Sequence, residues 1–225
     1  MTLGLVSCDP KDINKALEIL GENGSGFNVA DGLKEALRFG VDSSVKKLSA
    51  DKGYRNSIYK ILLPEEAEIV VNKLRFIPGF ENVEQTIITK INQSAEDAAK
   101  KAGPIFVNAI TSMSFNDATK ILMGNNNAAT EYLHGRTYNS LYSEFSPVIL
   151  NSLNKFGAVD YWADAVNAYN KIPFVNKINP DLTDHVCSKA LVGLFSLIEK
   201  KELGIRTDLN QRTTALLKDV FARQD

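Results

Sequence analysis

A continuous helical segment at 181–203 constrains the fold more than any other part of the chain. At ~100° per residue, its apolar side chains cover more than half of the helix circumference. A surface helix carries a narrower apolar stripe, so this helix is expected to be buried on several sides. Gly193 lies on the apolar face, where a glycine costs ~1 kcal/mol relative to alanine. We therefore expect another helix backbone to approach Gly193 closely. The apolar side chains are Leu182, Val186, Cys187, Ala190, Leu191, Leu194, Phe195, Leu197 and Ile198.

The remaining chain is predicted to surround this central helix. With 225 residues, of which 44% are hydrophobic and 24% charged, it is long enough to bury one main core. Apolar spacing and capping patterns, such as Ser114 followed by Asp117, predict about ten helices. The segment 53–63 alternates weakly without an evident partner strand, and we expect it to be a loop crossing the bundle. The predicted fold is a compact all-α bundle of about ten helices around a buried central helix, in a single domain over 28–225.

Turn signals divide the middle of the chain. Asn127 is expected to cap a short helix over 128–133, which His134 and Gly135 terminate. A longer helix is predicted to follow. Pro147 is expected to kink it, because a proline inside a helix removes a hydrogen bond and clashes with the preceding turn.

Similar signals divide the C-terminal part. Asp181 is predicted to cap the central helix, and Gly204 is predicted to end it. Asp208 and Gln211 have the spacing of a capping box, so they are expected to begin the last helix.

The N-terminus resembles a processing signal. Leu5, Val6, Ser7 and Cys8 resemble the lipobox of bacterial lipoproteins, in which the cysteine is lipidated after cleavage. Residues 1–7 are shorter than a complete secretory signal, whose apolar region alone has ~7–15 residues. The alternative is a chance match in a cytosolic protein. The resemblance implies a signal-peptide remnant at 1–7 and a lipidated tether and linker at 8–27.

A lipid on Cys8 would place the protein in the bacterial cell envelope, anchored to a membrane and facing the periplasm. No apolar run approaches the ~18 residues that suggest a membrane span, so attachment is expected through the lipid. The partners expected are that membrane and an unknown ligand or envelope protein. With 26 basic and 27 acidic residues, the net charge of −1 provides no global field for nucleic acid.

The sequence contains no recognisable catalytic or metal-binding motif. His134 and His185 are its only histidines, and His185 lies on the polar arc of the central helix while Cys187 lies on the apolar arc. The two side chains therefore do not converge on one metal, and we expect a solvated histidine and a buried core cysteine. No catalytic residue, metal or cofactor is predicted. A noncatalytic module that binds a ligand or partner is favoured, and a hydrolase-like enzyme with an unrecognised site is the alternative.

Five polar residues border apolar faces and are the candidate ligand-binding residues. They are Asn92, Glu96, Arg136, Arg206 and Arg212. They have a structural interpretation, as helix caps and salt bridges worth ~0.2–1 kcal/mol each. The functional interpretation is a polar cleft in which the arginines meet an anionic ligand.

Several phrases, in order along the chain, together resemble a known family. That family consists of bacterial, exported, often lipoprotein-like helical proteins, and it is catalogued only as a domain of unknown function. The resemblance implies a helical fold and an envelope location, but no activity and no site residues. The phrases are LKEAL (33–37), INQSAEDAA (91–99), GPIFVNAI (103–110), DATKILMG (117–124), AATEY (128–132), ALVGLF (190–195) and RTTALLKDVF (212–221).

Overall fold

The computed structural model describes residues 29–64, 67, 71–72, 82–155, 158–171, 173–174, 177 and 181–222. These residues form α-helices and one 3₁₀ turn at Leu209–Gln211, with no strand among them. The predicted tether and Cys8 lie outside the described residues. The helices are α1 (Val29–Leu48), α2 (Val83–Ala99), α3 (Ala102–Thr111), α4 (Phe115–Leu122), α5 (Ala128–Asn154), α6 (Ala158–Asn170), α7 (Leu182–Thr207) and α8 (Ala215–Phe221).

The prediction of an all-helical bundle around a buried central helix is confirmed. Helix α7 packs against α5, α1 and α2, and every apolar position that we placed on its wide arc is buried. Its first turn is capped as expected, since Asp181 Oδ1 accepts hydrogen bonds from the backbone N–H groups of Thr183 (2.9 Å) and Asp184 (3.2 Å). Burial on several sides follows directly from the width of the apolar arc.

The predicted count of about ten helices is not supported. Only six of the described helices have ten or more residues. The main error lies in α5, which runs without a break through Gly135, and Pro147 lies inside it on the solvent side. Buried Leu133 and Thr137 hold both flanks of the glycine in the core. Tertiary packing of those flanks outweighs the ~1 kcal/mol preference against an interior glycine.

The end of the central helix was also predicted wrongly. Helix α7 continues past Gly204 to Thr207. A Cβ atom at Gly204 would lie 2.2 Å from Gln211 Oε1, the end of a flexible side chain that packs against the glycine within the helix. Asp208 caps the 3₁₀ turn, whereas α8 begins after Thr214, whose side chain accepts a hydrogen bond from Leu217 N–H.

The segment from Ser49 to Pro64 crosses the bundle as a loop, as predicted. Its Tyr54 is fully buried and donates a hydrogen bond from its hydroxyl to Ala190 C=O on α7 at 2.8 Å. A Cβ atom at Gly193 would lie 3.1 Å from the Tyr54 ring and 3.2 Å from Tyr59 Cβ. The close approach expected at Gly193 therefore exists, but its partner is this loop and not another helix.

Candidate functional site

The five predicted ligand-binding residues do not share one cleft. Asn92 and Glu96 lie on one side of α2 and bind the crossing loop. The carboxamide of Asn92 accepts from Ile61 N–H at 2.9 Å and donates to Ile61 C=O at 2.8 Å. Glu96 accepts from the backbone N–H groups of Lys52 (3.1 Å), Tyr54 (3.2 Å) and Arg55 (3.2 Å). Burial raises the pKa of Glu96, while these three donors act in the opposite direction.

Arg206 lies in the last turn of α7, where it binds the C-terminus of α4. Its Nη1 and Nη2 donate to Leu122 C=O (3.2 Å) and Ile121 C=O (2.8 Å). It also forms a buried ion pair with Glu202, in which Nη2 lies 2.9 Å from Oε1. Carbonyls at a helix C-terminus lack intrahelical donors, and a guanidinium is well suited to supply them.

Glu202 completes this network at the start of α5. Its carboxylate accepts from the N–H groups of Ala129 (2.9 Å) and Thr130 (2.8 Å), and from the Thr130 hydroxyl (2.8 Å). Asn127 occupies the N-cap position of α5, as predicted, but its side chain makes no cap hydrogen bond. A buried carboxylate from α7 satisfies the N–H groups at the N-terminus instead.

Arg212 closes the C-terminus of α7 itself. Its Nε donates to Ile205 C=O at 3.0 Å and its Nη2 to Arg206 C=O at 2.9 Å. The guanidinium groups of Arg206 and Arg212 each lie 5.9 Å from the centre of the Phe221 ring. These contacts favour the structural interpretation of both arginines.

Arg136 is exposed on α5 and stacks over the Tyr132 ring at 5.5 Å from its centre. Cys187 is buried, with its Sγ 3.7 Å from Tyr142 C=O, and burial raises its pKa to about 12. A thiol with that pKa is not a nucleophile near neutral pH. No group of three metal-ligating side chains occurs within the described ranges.

An open groove between the crossing loop and α7 is the candidate binding site. Its volume is roughly 730 Å³, within the ~300–1,000 Å³ range of small-molecule sites. On the loop side it is lined by residues 58–64. The α7 side is formed by His185, Lys189, Val192, Gly193, Ser196 and Lys200.

Three exposed aliphatic side chains border the groove. Ile58, Leu62 and Val192 are 83%, 58% and 59% exposed, respectively, although each is a large aliphatic side chain. Single exposed apolar side chains are common on protein surfaces, whereas several around one concave site suggest contact with another molecule.

The charged side chains described around the groove have one sign. Lys60 lies on the loop, and Lys189 and Lys200 lie on α7, while none of the lining residues that the structure describes is an aspartate or a glutamate. His185 is half-buried and is not simply solvated as predicted, since its Nε2 lies 2.9 Å from Leu62 C=O. The surface therefore combines apolar contact area with local positive charge, even though the whole chain has a net charge of −1.

Sequence reasoning missed this groove. One signal was available, because Val192 is an aliphatic residue outside the apolar arc of the central helix. The other half of the groove comes from a loop whose position on α7 depends on tertiary contacts that helical periodicity does not contain.

None of the described helices has the length and apolarity required to span a membrane. No curated protein and no solved structure matches the chain. A family model does match, over residues 24–222, and its description is Protein of unknown function (DUF4197). This match covers the bundle almost completely, so the chain belongs to the DUF4197 family of proteins of unknown function.

Proposed function

We propose that this protein is a noncatalytic binding module of the bacterial cell envelope, anchored by a lipid on Cys8. The groove between 58–64 and α7 is its binding site. The observation that supports this proposal best is the combination of exposed Ile58, Leu62 and Val192 with a rim of lysines in one concave surface. Concave apolar sites with a few convergent polar groups are where proteins bind ligands.

A binding role fits the groove better than hydrolysis. Nucleophilic catalysis requires a nucleophile within hydrogen-bond reach of a base that a third group orients. Ser196 and His185 both line the groove, but they lie on the same helix eleven positions apart, which is roughly 16 Å along the axis. The nitrogen His185 Nε2 is already held by Leu62 C=O, and the described lining residues include no carboxylate that could orient the ring.

The groove can be tested with 8-anilinonaphthalene-1-sulfonate, an amphipathic anion that fluoresces in apolar sites. We expect the purified full chain to bind it saturably, because it offers an apolar ring system to Val192 and a sulfonate to the lysines. Val192→Glu should weaken this binding by about tenfold or more, equivalent to ~1.4 kcal/mol. Because Val192 is exposed, the substitution should leave the melting temperature nearly unchanged.

Val107→Glu is the matched control, because Val107 is a similarly exposed valine on α3 that does not line the groove. Equal dye fluorescence in the wild type and Val192→Glu would contradict a binding site at this groove. An equal decrease in Val192→Glu and Val107→Glu would contradict it as well.

A further inference from the structure

Residues 60–63 on the loop side of the groove have the side-chain pattern of a short extended segment. Ile58 and Tyr59 lie in a turn, which Lys60 N–H closes by donating to Ser57 C=O at 3.2 Å. After this turn, Lys60 and Leu62 are exposed, whereas Ile61 is buried and Leu63 is half-buried. This alternation is the side-chain pattern of an extended backbone. The stretch therefore presents backbone hydrogen-bonding groups along two edges.

One edge of this strand is already occupied. The carboxamide of Asn92 binds both the N–H and the C=O of Ile61, as a peptide group of a neighbouring strand would. In an extended chain the N–H and C=O of one residue point to one edge, and those of the next residue point to the other. Lys60 C=O and the groups of Leu62 consequently face α7, where Leu62 C=O meets His185, whereas Lys60 N–H donates to Ser57 C=O at 3.2 Å.

That second edge retains pairing capacity. Within the described part of the chain, no hydrogen-bond partner is found for Leu62 N–H or for Lys60 C=O. A donor and an acceptor at alternate residues are the two groups with which one edge of a strand pairs with an added strand. The groove between this edge and α7 provides the space for it.

The lysines indicate the charge and length of the occupant. Lys189 and Lys200 lie roughly 16 Å apart along α7, at 1.5 Å per residue. One anionic head group does not contact both, whereas an extended peptide spans this distance with about five residues at ~3.3 Å each. Carboxylates distributed along such a peptide would meet Lys60, Lys189 and Lys200.

We propose that the groove binds a short, extended, acidic segment of a partner protein, which adds as a strand to the backbone of Lys60 and Leu62. Apolar side chains of the segment contact Ile58, Leu62 and Val192, and alternate Asp or Glu residues contact the lysines. Strand addition of this kind derives affinity from main-chain hydrogen bonds and specificity from alternate side chains. This proposal rests on the binding function assigned to the groove.

The test uses a fluorescein-labelled peptide with the sequence EVEVEVE and two matched peptides. One is KVKVKVK, and the other is EVEVEVE with alternate backbone nitrogens methylated, which retains the charge but removes N–H donors. We expect the fluorescence anisotropy of labelled EVEVEVE to rise to saturation as the full-length chain is added. Both matched peptides should bind about tenfold more weakly or worse.

Charge reversal in the protein supplies the reciprocal measurement. Lys189→Glu should weaken the binding of EVEVEVE and strengthen the binding of KVKVKVK. Lys47→Glu, at an exposed lysine outside the groove, should change neither affinity. Equal affinity for the acidic and basic peptides, or undiminished affinity for the methylated peptide, would refute the proposed mode of binding.

Dodecanoate separates peptide recognition from lipid recognition. If dodecanoate displaces the naphthalene sulfonate while EVEVEVE does not, the groove binds a lipid-like anion, and the peptide proposal is wrong although the binding function stands. If Val192→Glu affects neither probe, both proposals fail.

Discussion

At the scale of single residues, three buried charged side chains bind the ends of helices. Glu202 supplies acceptors to the first N–H groups of α5, Arg206 supplies donors to the last carbonyls of α4, and Arg212 does the same for α7. Each helix end carries a partial charge opposite to that of the side chain which meets it. This arrangement explains how charged side chains are tolerated in a core of aliphatic residues.

Removing Arg206 should therefore destabilise the fold strongly. Arg206→Ala would leave Glu202 as a buried carboxylate without its cation and would remove the guanidinium donors from Ile121 C=O and Leu122 C=O, a loss of about 3 kcal/mol in the free energy of unfolding. Urea denaturation of the full chain measures this loss. Arg136→Ala is the control. The Arg136 guanidinium is exposed, so its removal should lower the free energy of unfolding by only ~0.5–1 kcal/mol. Equal losses in both variants would contradict a structural role for Arg206.

Glu96 should make stability depend on pH in a defined direction. Its pKa is raised above the ordinary value of 4.5, so the folded state binds the proton more tightly than the unfolded state. Stability from this group is complete below pH 4.5 and is lost as the pH rises through the raised pKa. Relative to Glu96→Gln, the wild type should lose stability with rising pH over that window, as measured by chemical denaturation at several pH values. If the wild type instead becomes more stable relative to Glu96→Gln as the pH rises, the backbone donors outweigh burial in setting the pKa of Glu96.

At the scale of elements, the crossing loop determines both the packing of α7 and the shape of the groove. Tyr54 anchors it to Ala190, Asn92 and Glu96 anchor it to α2, and Gly193 makes room for it. Six backbone groups of the loop find their hydrogen-bond partners in side chains of α2 and α7, so the loop needs no helical hydrogen bonds to satisfy them. The loop is thus a fixed part of the core.

Asn92→Ala should loosen this loop locally. The substitution leaves the buried Ile61 N–H and C=O without their partner, which costs ~1–3 kcal/mol. Hydrogen exchange at Ile61 should accelerate much more than exchange at Leu141 in the middle of α5. Gln93→Ala, at the next and less buried position, should leave the exchange of Ile61 unchanged. Uniform acceleration at Ile61 and Leu141 would indicate global destabilisation instead.

Local patterns in the sequence were sufficient for some elements and insufficient for others. The apolar arc of α7, the cap at Asp181 and the capping box of Ser114 and Asp117 were all predicted, because each depends on neighbours within four residues. The capping of α5 by Glu202 depends on a partner more than seventy residues away, and the continuity of α5 through Gly135 depends on packing against helices distant in sequence. No helical periodicity encodes those distances.

The candidate site was harder to predict for the same reason. The sequence directed attention to five polar residues, of which Asn92, Glu96, Arg206 and Arg212 contact helix ends or the loop within the fold. The groove instead uses lysines and aliphatic residues that are ordinary in composition, and only their placement in one concave surface distinguishes them.

At the scale of the whole molecule, the proposed anchor and the groove should be separable. If Cys8 is lipidated, the bundle is held at a membrane by its N-terminus, while the groove is formed within the family domain at 24–222. Two acyl chains are enough for stable attachment, since each buried CH₂ contributes ~0.8 kcal/mol. Cys8→Ser, in the protein expressed with its native upstream sequence, should abolish both membrane fractionation and the acyl mass on the N-terminal peptide. Lys189→Glu should leave both unchanged, because it alters only the groove. Native protein that is soluble and carries an unmodified Cys8 would rule out the anchor and leave the binding groove to be judged by its own tests.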